Sequence, residues 1–64
     1  MAAIERLELE GHRGALATDV RGLVEKYRKI FDWDVPDIDR RAADRLIVGE
    51  VRKVLDVIGD ELGV

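Results

Sequence analysis

The chain reads as all-α. The expected architecture is an antiparallel helical hairpin, about residues 15–31 and 37–62, with a short N-terminal helix or arm. Two such hairpins are expected to pair into a homodimeric four-helix bundle. Three observations predict this. Leu16, Val20, Leu23, Tyr27 and Ile30 step by four, three, four and three, the spacing of a coiled-coil seam. Residues 39–62 carry an apolar arc centred on Ile47 that covers roughly 200° of a helical wheel, where one neighbour needs about 100°. Between them Pro36 lies in a connector too short for anything but a reversal of direction.

Residues 1–14 are ambiguous between helix, strand and disorder. Ala2, Ala3, Glu5, Leu7 and Glu8 favour helix, whereas Arg6 to Glu10 alternates polar and apolar like a half-buried strand. Gly11 and Gly14 punctuate the chain, so the reading preferred is a short helix ending near Gly11. Ala15 to Phe31 is the first strong helix, with Val24 and Phe31 widening its seam. Lys26, Arg28 and Lys29 fall in its final turns, where cations complement the carbonyl end of the dipole.

In the connector, Pro36 cannot continue a helix and holds Val35 extended. Asp34, Asp37 and Asp39 are each credible N-caps, so the second helix is expected to start between residues 35 and 40. An Asp39 cap would let Ile38 pack on Ala43 as a hydrophobic staple. In the second helix Ala43, Leu46, Ile47, Val48, Val51, Val54, Leu55, Val57, Ile58 and Leu62 supply the apolar arc. A fold about residue 35 would set Leu23 against Ile47 and Leu16 against Val54. It would also bring Asp56, Asp60 and Glu61 beside Arg13 and the start of the first helix.

Sixty-four residues make a single small helical domain, residues 1–64, near the lower limit for a self-sufficient core. The chain has no cysteine, so neither disulfides nor thiolate metal sites can staple it, and oligomerisation is the remaining device. The start lacks the pattern of a signal peptide and no apolar run reaches membrane-spanning length, which predicts a soluble, cytoplasmic protein with no membrane partner. A net charge of −3 argues against a surface given over to nucleic acid.

No catalytic, cofactor-binding or metal-ligating set is predicted. His12 is the sole histidine, the chain has no Ser or Cys and one Thr, and an exposed turn histidine is the preferred reading. Asp32, Asp34, Asp37 and Asp39 alternate as in a calcium loop, but Asp37 and Ala43 stand where such a loop needs glycine and glutamate. Gly11-His12-Arg13-Gly14 has the spacing of a KH-domain backbone clamp without its sheet. The order of elements also resembles the ribbon-helix-helix plan of repressors and antitoxins. There the DNA-facing side would carry Ile4, Arg6, Glu8 and Glu10, the wrong charge for a major groove.

Function is therefore expected to be non-enzymatic: an oligomerising or adaptor protein acting through helix faces on itself, as a homodimer or higher assembly, or on another protein. The expected self-association interface comprises Leu16, Val20, Leu23, Tyr27, Ile30, Leu46, Ile47, Glu50, Val51, Val54, Leu55 and Ile58. Glu50 is the oddity, a carboxylate inside the apolar arc that calls for a cation across an interface, from Lys26 or a second subunit. The alternative is a small dimeric nucleic-acid-binding regulator, either a helical-hairpin RNA binder or an antitoxin-like repressor. Its contacts would be a stripe of Arg21, Arg28, Arg45 and Arg52, with Trp33 as an aromatic knob for either kind of partner.

Overall fold

The computed structural model describes residues 3–64. Among them are two α-helices and no strand: α1, Ala3–Asp34, and α2, Arg40–Leu62. The break expected near Gly11 is not there. α1 runs unbroken through Gly11 and Gly14 into the seam helix, and the part of that expectation falling on Met1 and Ala2 lies outside the described residues. Two glycines cost a helix about 1 kcal/mol each relative to alanine. Around them stand strong helix formers, and i,i+3 and i,i+4 pairs span the weak point: Glu8 Oε1 lies 3.0 Å from His12 Nε2, and Arg13 Nη2 lies 3.2 Å from Glu10 Oε1.

At its other end α1 extends three residues beyond Phe31, and the Val35 N–H still donates to the Phe31 carbonyl at 3.0 Å. Its last turn therefore carries Asp32 and Asp34, and Lys26, Arg28 and Lys29 sit one to two turns inside, away from the dipole end they were expected to complement. The next residue, Pro36, has no N–H to continue the ladder. Asp37 then takes a left-handed conformation, φ 57°, which reverses the chain.

Of the three candidate caps, Asp39 is the one used. Its carboxylate accepts from the Ala42 N–H at 3.1 Å, and its carbonyl accepts from the Ala43 N–H at 2.9 Å. Ile38, just before the cap, is half-buried and Ala43, four residues into the helix, is buried, the positions a hydrophobic staple occupies. α2 ends in a Schellman motif: Gly63 is left-handed at φ 78°, its N–H donates to the Asp60 carbonyl at 3.2 Å, and the Val64 N–H donates to the Gly59 carbonyl at 2.9 Å.

The helices meet at the connector end. Ala43 and Ile47, each 6% exposed, are the buried residues among those described, with Val24, Phe31, Ile38, Val48 and Val51 half-buried around them. Two ion pairs cross between the helices here, Arg28 to Asp44 and Asp32 to Arg40. Both pairings centre the reversal on Pro36, one residue later than a fold about residue 35. Further from the turn Leu16, Val54, Leu55 and Ile58 remain exposed. The hairpin is closed at one end and open along the rest.

Candidate functional site: an open apolar groove

The open part of the hairpin forms a groove of about 520 Å³, lined by Leu23, Tyr27 and Phe31 from α1 and by Leu46, Ile47, Glu50, Val51, Val54, Leu55 and Ile58 from α2. Nine of these ten side chains are apolar or aromatic. Their spacing explains the convergence: the seam of α1 and the arc of α2 are continuous stripes, and the reversal at Pro36 and Asp37 sets them side by side. Only the part next to the turn is covered by the neighbouring helix. Leu16, Val20 and Ile30 continue the α1 stripe and are exposed.

Arg28 fixes the closed end of the groove. Its Nε donates to Asp44 Oδ1 at 2.8 Å, and its Nη1 donates to Glu25 Oε1 at 2.6 Å. The hydrogen bond donated to Glu25 comes first in raising the guanidinium's pKa above its ordinary value, followed by the bond to Asp44 and its charge. Arg28 thus links α1 to α2. Neither Arg21 nor Arg45 nor Arg52 enters an ion pair among the described residues.

Glu50 stands on the margin of the groove, and the cation it meets within the hairpin is not Lys26. Lys53, one turn on in the same helix, places Nζ 3.5 Å from Glu50 Oε1, and both side chains are exposed. Lys26 instead lies over the Tyr27 ring, 5.6 Å from its centroid. Arg13 pairs within α1, and Asp56, Asp60 and Glu61 make no ion pair among the described residues, so the predicted tertiary charge match does not form. Of the aromatics, Tyr27 and half-buried Phe31 line the groove, and Trp33 is 89% exposed at the turn end.

The pairs Arg28–Asp44, Asp32–Arg40 and Glu50–Lys53 were absent from the residue-level expectations. The last was available as an i,i+3 spacing. The other two depend on the exact pivot of the turn. Among the described residues no group of three or more His, Asp or Glu side chains is placed to hold a metal ion, and no helix is long and apolar enough to cross a membrane. No family model, curated protein or solved structure matches this chain.

Proposed function

We propose that this protein acts without catalysis, by self-association through the open groove of its hairpin, as an oligomerising or adaptor module. The observation that carries this reading is the extent of unburied apolar surface. Two side chains are buried among the described residues, and Leu23, Leu46, Val54, Leu55 and Ile58 stand exposed together along one groove. Water-exposed apolar patches of that extent mark interaction surfaces, and small domains without disulfides or metals commonly complete their cores by oligomerising.

The groove also explains the distribution of charge. Glu50 is the one charged side chain on its lining. An interface of this type, with an apolar floor and a polar rim, fits another amphipathic helix pair. A four-helix bundle of two hairpins covers both stripes at once. The test is light scattering of the purified chain at micromolar concentration, with a dimer or larger species expected. An RNA-binding role is the competing outcome: salt-sensitive RNA affinity that disappears in an Arg45→Ala, Arg52→Ala double variant of a monomeric protein would replace this reading.

A further inference from the structure

Four residues along one flank of α2, of which Leu46 and Glu50 also line the groove, have an unusual symmetry. Leu46, Glu50, Lys53 and Val57 step along α2 by four, three and four. On a wheel of 100° per residue they fall within about 60° of one another, so they form a single row on one flank of the helix. All four are exposed, Leu46 at 67% and Val57 at 55%. Read backwards the row has the same pattern: apolar, charged, charged, apolar, with the two charges exchanged.

A row of this kind is complementary to itself when a second copy runs in the opposite direction. Glu50 of one copy then meets Lys53 of the other, twice by symmetry, and Leu46 meets Val57, also twice. We infer that the partner of this groove is a second copy of the chain, with the two α2 helices antiparallel along Leu46, Glu50, Lys53 and Val57 and the two connectors at opposite ends. The inference rests on the self-association proposed above and adds its orientation and register. An isologous two-fold contact has this property by construction, since the same patch serves both sides.

The opposite orientation lacks that match. Parallel α2 helices with both connectors at one end would set Glu50 against Glu50 and Lys53 against Lys53, four like charges in two pairs. A second feature favours the antiparallel choice. Asp56, Asp60 and Glu61 crowd the C-terminal part of α2, where the helix dipole disfavours anions, and they have no ion-pair partner among the described residues. An antiparallel copy brings this acidic end beside the first turn of the other α2, the positive end of its dipole.

The chain has no cysteine, so introduced thiols report on this contact alone. Leu46→Cys and Val57→Cys are made in the full chain, separately, and helicity is checked by circular dichroism; both positions are well exposed in the hairpin. After mild oxidation the mixture of the two variants is expected to yield a disulfide-linked pair, and neither variant alone is. Self-linkage of Leu46→Cys alone would overturn the orientation while leaving self-association standing. A wild-type dimer whose mixed variants do not link would overturn the register, and a monomeric wild type would remove both proposals. Charge gives an independent reading. Glu50→Lys and Lys53→Glu, each alone, should weaken the homodimer about tenfold, because two attractive pairs become repulsive. Mixing the two should restore wild-type affinity in the heterodimer. Unchanged affinity in both single variants would count against the contact.

Discussion

Arg28 Nε donates to Asp44 Oδ1 at 2.8 Å, and this bond joins two residues that lie on different helices, sixteen positions apart. With the Asp32–Arg40 pair at 2.9 Å it places the pivot of the hairpin at residue 36. Arg28 reaches Glu25 as well, through a second nitrogen of the same planar group, a geometry that lysine cannot reproduce. Arg28→Lys is therefore expected to lower Tm, and Asp44→Asn likewise. The double variant should lose less than the sum of the two, and thermal unfolding of all four proteins measures that coupling. Strict additivity would mean that the pair does not join the helices.

Asp37 carries the turn at φ 57°, where short polar residues and glycine are tolerated and β-branched ones are not. Asp37→Val should cost about 1–2 kcal/mol in urea unfolding. Asp37→Asn should be close to neutral. Equal stability of the Val variant would place the reversal elsewhere in the connector.

Ile47 is one of the two buried side chains among the described residues, and Ile47→Ala removes most of its apolar volume. The expected loss is about 2–4 kcal/mol, with a matching fall in the urea midpoint. Leu62, exposed at the far end of α2, is the control, and Leu62→Ala should change the midpoint little.

Gly11 and Gly14 lie within a continuous helix, and a Cβ built on either meets nothing within 4 Å. Replacing both with alanine should stabilise the protein by about 1–2 kcal/mol through higher helix propensity and a less flexible unfolded chain. A loss of stability would show that this face of α1 is covered in the assembled protein.

These same glycines mark where the sequence misleads. Their spacing resembles a boundary, yet a helix tolerates glycine on an open face when its neighbours favour helix and side-chain pairs bridge the gap. The all-helical class, the connector around Pro36 and the stripe that lines the groove were legible, because each follows from periodicity or from proline itself. The cap at Asp39 was one of three equal candidates, since Asp34, Asp37 and Asp39 differ only in backbone conformation. Ion pairs between the helices were not legible. Moving the pivot by one residue turns each side chain about 100° around its helix axis, which is enough to separate Arg28 from Asp44 or join them.

Self-association is the central claim, and sedimentation equilibrium across a concentration series tests it most directly. A chain of 7.2 kDa is expected to sediment at twice that mass or more at micromolar concentration, with a Tm that rises with concentration. A chain that stays at 7.2 kDa throughout, and unfolds cooperatively at a concentration-independent Tm, would contradict it.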